Sequence, residues 1–213
     1  MIKVENIETW GFEHAIRGMR NPLNSWSRSD SSFGYEAYSG EFVPDLKIGE
    51  NDLKLMRQLY VGGQPHRKYL RQIFAVMDIT APLYWWKEFD TYKVGTTANS
   101  CSTMHKIAAE EFSIEDFSDE HLETGWLACL DDTIIPLLNR ARTKFIATKD
   151  KRYWWQMIQL LPSSYNQRRT VSMTYENVMN MLDYREGHKL DEWREFCKIL
   201  KQLPYVEEIR DGR

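Results

Sequence analysis

The run Lys93-Val94-Gly95-Thr96-Thr97-Ala98-Asn99-Ser100-Cys101-Ser102 gathers an ammonium, several hydroxyls, a carboxamide and a glycine in one short stretch. An anion such as a nucleotide phosphate needs convergent donors. Lys supplies a point charge, Arg a bidentate fork, and Ser, Thr and turn N–H groups complete a cradle. Lys93, Gly95, Thr96, Asn99 and Ser102 could furnish one, and the same run also reads as an ordinary polar turn between helices. Later in the chain, Arg185 closes an apolar helical stripe. It could offset the negative end of that helix. It could equally hydrogen-bond a pyrimidine carbonyl or phosphate and stabilise charge on an activated ring. Glu192 and Arg194 read either as part of such a site or as a surface ion pair of little energetic weight. Near the N-terminus, Arg17 and Arg20 share a helical face ahead of Ser25, Ser27, Ser29, Ser31 and Ser32. That donor-dense segment either closes over an anion or is a solvated loop.

Other chemistries find no support. No GxxxxGK[ST] loop, strand-linked GxGxxG, HExxH or GxSxG occurs in the sequence. The histidines (His14, His66, His105, His121 and His188) form no close ligand pair, and no metal site is expected. The acidic run Glu115-Asp116-Phe117-Ser118-Asp119-Glu120 could bind a cation, and reads better as a solvated loop that caps the helix after it.

Composition sets the outer limits. The 213 residues suit one domain spanning 1–213, and 42% hydrophobic with 28% charged residues is an ordinary globular balance. A net charge of -3 argues against a general nucleic-acid-binding surface, and the basic runs 140–151 and 167–169 read as solvated faces. Cys101, Cys129 and Cys197 are odd in number and widely spaced, so neither a disulfide framework nor a zinc site is expected. With no apolar leader and no membrane-length apolar run, a reducing cytoplasm is the expected compartment. The doublets Trp85-Trp86 and Trp154-Trp155 would diverge on a helix, leaving one ring of each free for a partner or ligand.

The elements that must position these residues follow from periodicity. Residues 2–9 read as a strand, and 21–49 as a loop with a short strand near 33–37. A helix is predicted over 51–60, stopped by Gly62-Gly63. Pro65 then opens a helix carrying Tyr69, Leu70, Phe74 and Met77, and another starts near Pro82 and carries Tyr84 to Phe89. Helical spacing returns over about 120–145, with Pro136 kinking or dividing the run, and again over 151–161. Alternation predicts a strand over 170–175. A helix follows over 175–185, ended by Gly187, and the last helix carries Leu190, Trp193, Phe196 and Leu200. Helix dominates, with a few strands.

Two segments, in order, resemble the flavin-dependent thymidylate synthases. In residues 81–102 a proline-led helix runs into Thr91-Tyr92-Lys93 and then Gly-Thr-Thr-Ala-Asn-Ser. The family has Arg-His-Arg at the triplet, so only Lys93 keeps a positive charge. Its asparagine matches Asn99, and its serine falls on Cys101 without a gap or on Ser102 with one inserted residue. In residues 161–204 a proline-marked entry leads to a threonine-rich strand, a helix ending at Arg185, and Glu192-Trp193-Arg194 for the family's Glu-x-Arg, with Leu190 where it has glutamine. The resemblance implies an α+β domain, helix-rich with a small, mainly antiparallel sheet, assembling as a homotetramer. It implies dUMP, FAD and methylenetetrahydrofolate at sites shared between subunits, reduced flavin supplying hydride and folate the one-carbon unit. On that basis Lys93, Ser102, Arg185 and Arg194 would hold a pyrimidine nucleotide, with Arg185 also catalytic. Tyr92, Asn99 and Asn177 would meet the cofactor. Cys101 is not required as a nucleophile. The altered triplet leaves two further readings open: a catalytically silent relative that binds or sequesters a nucleotide, and an interaction protein whose Trp-rich helices serve assembly.

Overall fold

The computed structural model describes residues 2–38 and 41–211, with the side chains of 35–38 and 41–44 left out. Strand β1 (Lys3–Trp10) turns into helix α1 (Phe12–Arg20) at Gly11, whose φ is 94°. A Cβ there would sit 2.1 Å from the Gln72 carbonyl oxygen, so only glycine permits this corner. Two short 3-10 turns lead to the antiparallel hairpin β2 (Ser32–Tyr38) and β3 (Glu41–Lys47), then to α2 (Glu50–Val61). A 3-10 turn, Arg67–Gln72, precedes β4 (Phe74–Pro82), α3 (Leu83–Phe89), β5 (Thr96–Ser100) and the single turn α4 (Thr103–Lys106). Next come α5 (Thr124–Cys129), a π turn over Leu130–Ile134, α6 (Ile135–Thr148) and α7 (Lys151–Leu160). Strand β6 (Asn166–Thr174) feeds α8 (Tyr175–Arg185), followed by α9 (Asp191–Lys201) and α10 (Val206–Arg210).

The main sheet has the order β1-β4-β6-β5, antiparallel throughout, with β5 at one edge. One face is the floor of the main core. Ala75, Met77, Ile79 and Ala81 of β4 and Val171 and Met173 of β6 are fully buried under helical side chains that include Phe12, Met56, Trp85, Val178 and Trp193. A second cluster joins the π turn, α6 and α7 to Ile107, Phe112 and Phe117. Among the described residues no helix covers the opposite sheet face, where Arg168 and Thr170 are exposed. There Asp78 accepts hydrogen bonds from Thr170 Oγ1, Arg168 Nη2 and Asn6 Nδ2 at 2.5, 2.8 and 2.8 Å, which together hold its carboxyl well below the ordinary carboxylate range.

The helix expected after Pro65 is corrected by β4. Tyr69 and Leu70 sit in the 3-10 turn, but Phe74 onward is a strand. Its burial alternates from Phe74 to Ala81, and it pairs with β6 along its whole length and with β1 on the other side, apart from a bulge beside Met77. Tyr69, Leu70, Phe74 and Met77 fit a helix by spacing alone, while the better period is two, carried by Ala75, Met77, Ile79 and Ala81. The strand near 33–37 is present, but its partner β3 and the closing α10 are not in the sequence reading. Pro136 divides the long helix as expected: it stands at the start of α6, directly after the π turn. The missing proline N–H removes a backbone bond to the preceding turn, and a π turn is one way the ladder absorbs that loss. Among the described residues no helix is long and apolar enough to cross a membrane.

The segment between α1 and α2 is fixed by a buried ion pair. Arg20 Nε lies 2.6 Å from Asp52 Oδ1, with side-chain exposures of 4% and 0%. Asp52 Oδ2 accepts from the Ser29 and Ser31 hydroxyls and from the amides of Asp30 and Ser31. Burial alone would push the Asp52 carboxyl up. The bonds from Ser31, Ser29, Arg20 and Asp30 outweigh burial and hold it below its ordinary value. Removing one partner of such a pair leaves the other charged and dry. Asp52→Ala is therefore expected to cost about 3–5 kcal/mol in a urea unfolding curve. Because the folded value is depressed, this stabilisation is complete above the ordinary aspartate pKa of about 4 and fades as pH falls through the folded value. Wild type should lose stability below about pH 4, and the Asp52→Asn variant should lose less over the same interval.

Candidate functional site

The polar mid-chain run is built as a turn followed by an edge strand. Helix α3 stops at Phe89, and the Thr91 and Tyr92 amides donate to Glu88 and Phe89 carbonyls. Gly95 then takes φ 80°, with its missing Cβ 2.6 Å from Asn177 Oδ1. Asn177 Nδ2 donates to the Val94 carbonyl at 2.8 Å, Thr174 Oγ1 to Asn177 Oδ1 at 2.5 Å, and the Thr174 amide to the Gly95 carbonyl at 3.1 Å. The start of α8 thus grips the turn from below. Thr96 Oγ1 closes it from above by donating to the Tyr92 carbonyl.

Arg185 reaches the same turn from the far end of α8. Its Nε donates to Tyr92 Oη at 3.1 Å and its Nη1 pairs with Glu88 Oε2 at 3.1 Å. The guanidinium lies 5.1 Å from the Trp193 ring centroid and 5.7 Å from that of Tyr92. Lys93, one residue on from Tyr92, is exposed and has no ion-pair partner among the described residues. It lines a cavity of about 300 Å³ with Phe89, Asp90, Tyr92, Thr96 and Ala98. Asp90 on that wall is tied to Arg169 Nη1 at 2.7 Å. Lys93 and Arg185 therefore belong to one neighbourhood, linked through Tyr92.

The other expected residues do not converge there within one chain. Ser102 lies past the opposite end of β5, roughly 20 Å from Gly95 at strand rise. Its hydroxyl accepts from the His105 amide at 3.1 Å and starts α4. With Cys101, Lys106, Asp116 and Arg168 it lines a separate cavity of about 280 Å³. Asn99 pairs with Thr170, which pairs with Asp78, so all three side chains share the uncovered sheet face. Ala98 and Thr96 point the other way. Asn177 is buried, and its carboxamide already holds Val94 and Thr174. Arg194 donates to the His188 and Lys189 carbonyls and to Asp191, clamping the α8–α9 connection. Glu192 is buried and accepts from the Tyr84 hydroxyl, so it is an internal partner and not the exposed half of a Glu192–Arg194 pair.

Two contributors escape the sequence reading. Glu88 neutralises Arg185, and Arg169, read as part of a solvated basic run, has a side chain only 15% exposed. Arg169 lies 4.1 Å from the Trp86 ring centroid and donates to Gln167 Oε1, while Gln167 Nε2 donates to the Cys101 carbonyl. The signal for Arg169 was available: in a strand, positions 167, 169, 171 and 173 share one face, and Val171 and Met173 mark it as the inner one.

No family model matches the chain, and no curated protein matches it. Solved structures do. The flavin-dependent thymidylate synthase ThyX from Helicobacter pylori, complexed with FAD and dUMP, superposes with a TM-score of 0.66 at 16% identity, covering 99% of each chain. Another structure of ThyX from Helicobacter pylori with FAD and dUMP gives 0.68 at 16% identity, covering 100% of this chain and 99% of that one. The α+β fold, helix-rich with a small antiparallel sheet, is therefore the ThyX fold along its full length.

The grip of α8 on the turn has a measurable strength. Gly95→Ala forces a side chain into left-handed backbone space and against Asn177, and is expected to cost about 1–2 kcal/mol or more. Asn177→Ala strips the Val94 carbonyl of its partner and should cost about 1–3 kcal/mol. Urea unfolding of the two single variants and the double variant checks this. The effects should be clearly non-additive, because both changes act on one contact.

Proposed function

We propose that this protein is a nucleotide-binding member of the ThyX fold. Its ligand is a pyrimidine nucleotide whose phosphate meets Lys93 beside the Tyr92–Arg185 pair. The observation that carries the reading is the meeting of the altered triplet with the end of α8: the only cation left in Thr91-Tyr92-Lys93 stands free at a cavity whose far support is Arg185. The two ThyX structures, bound to FAD and dUMP, agree with that class of ligand.

The single-chain cavity bears on size and cofactor. At about 300 Å³ it lies at the small end of ligand pockets, which run to about 1,000 Å³. That volume suits a mononucleotide fragment. A flavin dinucleotide does not fit the residues of one chain: the cavity is too small, and Arg185 is already paired with Glu88. Residues from a second copy would have to complete the site. The uncovered sheet face and the exposed Trp126, Trp155 and Leu160 support assembly, and we place the protein as a homotetramer. Ser102, Asn99 and Arg194 would then belong to the site only through contacts between copies.

A second reading is catalysis, reductive methylation of dUMP with reduced FAD and methylenetetrahydrofolate. Retention of Arg185 at the end of α8 supports it. The loss of two triplet cations, with Tyr92 used to hold Arg185, favours binding without turnover.

Thermal unfolding separates these readings. With dUMP at a hundred times its Kd, the wild type should gain about 2.7 kcal/mol, or roughly 5–10 °C in Tm. Lys93→Ala, a change on the surface, should lose most of that gain while keeping the unliganded Tm. Arg185→Ala should lose it as well. If dUMP leaves Tm unmoved, or Lys93→Ala responds as wild type does, the proposal fails. A flavin absorption band in the purified protein, together with methylation of dUMP, would favour the enzyme.

A further inference from the structure

A larger cavity, of about 730 Å³, lies between the C-terminus of α1, the 3-10 turns that follow and one face of α2. It shares no lining residue with the cavity beside Lys93. Its charged lining residues are all cationic: Arg20, Arg28 and Lys54, accompanied by Asn24, Ser25, Ser27, Asn51 and Gln58. Leu23 and Leu55 supply an apolar margin.

The charges are arranged in two tiers. Arg20 is the inner one. Its Nε is held by Asp52, and its Nη1 donates to the Ser25 carbonyl and hydroxyl at 3.2 and 3.3 Å. Its Nη2 makes no hydrogen bond among the described residues, and the side chain lines the cavity at 4% exposure. That donor is open to an acceptor held in the cavity. Arg28 and Lys54 form the outer tier, both exposed and without an ion-pair partner among the described residues. No carboxylate lines the cavity, and two close to it are already engaged. Asp52 is enclosed by its donors, and Asp30 accepts the amides of Asn51 and Asp52 at the start of α2. With Asp52 offsetting Arg20, the cavity keeps two uncompensated positive charges. Because Asp30 already takes the α2 amides, side chains and not the helix end would hold the ligand.

We propose that this cavity is a second anion site that binds a small, soluble phosphorylated molecule carrying at least two negative charges. Arg20 Nη2 and the Ser25 and Ser27 hydroxyls orient the phosphate, and Arg28 and Lys54 neutralise it. The leucine margin covers the organic part. This site stands independently of the nucleotide reading at Lys93.

The test is titration calorimetry of the full chain with inorganic pyrophosphate, against chloride at matched ionic strength. Wild type should bind saturably, with no heat in chloride. Arg28→Ala/Lys54→Ala, which alters only exposed side chains, should bind at least tenfold more weakly at unchanged Tm, while Lys87→Ala, an exposed cation outside both cavities, should bind as wild type does. Retention of wild-type affinity in the double variant, loss of binding in Lys87→Ala, or a non-saturable response would each overturn the proposal. Binding to vesicles containing phosphatidic acid with none to pyrophosphate would also overturn it, assigning the charges to a membrane surface.

Discussion

Strand β6 is the constraint on which the rest hangs. It is paired with β4 along its whole length and with β5 along all five of that strand's residues. Alternation along β6 sends Arg168 and Thr170 to the uncovered face and Arg169, Val171 and Met173 to the core. Two neighbouring arginines thereby acquire unrelated partners: Arg168 joins Asp78, and Arg169 joins Trp86 and Asp90. The strand then runs straight into α8, so Thr174 and Asn177 reach back to hold the Val94–Gly95 turn. A slip of one residue in β6 would invert all of these assignments at once.

That geometry changes what the mid-chain polar run can do. A cradle read along the sequence as one object is pulled apart by the extended strand in its middle. Lys93 stays at one end with Tyr92 and Arg185, and Ser102 goes to the other with Lys106 and Arg168. Asn99 points away from both. Within the described residues of one chain, these groups do not converge on a single phosphate. The pairing of Arg185 with Glu88 has a related effect. Glu88, 44% exposed and 3.1 Å from Arg185, already neutralises that guanidinium.

Much of this was legible in the sequence where local and global preferences agree. Helix α8 begins at Tyr175 and ends at Arg185 as its stripe and the following Gly187 indicate, and β1, α2 and α7 fall close to their predicted spans. The ordered resemblance of the two segments led to the fold. What stayed hidden depends on partners distant in the chain. Strand β4 hid behind spacing that also fits a helix, and only its two neighbours decide between them. Glu88 looks like any helix-surface carboxylate until α8 delivers Arg185 beside it. The pair of Arg20 and Asp52, thirty-two positions apart, leaves no local trace at either residue.

The margins of the sheet carry one more implication. On the outer side of β1 the register breaks between Glu5 and Glu8, Asn6 adopts φ 52°, and Lys3 and Glu5 line the rim. On the other side, β5 is only five residues long and gives way at once to Cys101 and α4. Neither border offers the long, flat row of unpaired amides and carbonyls that another strand needs to dock. Among the described residues, the main sheet is therefore protected at both borders against strand-on-strand pairing with another chain.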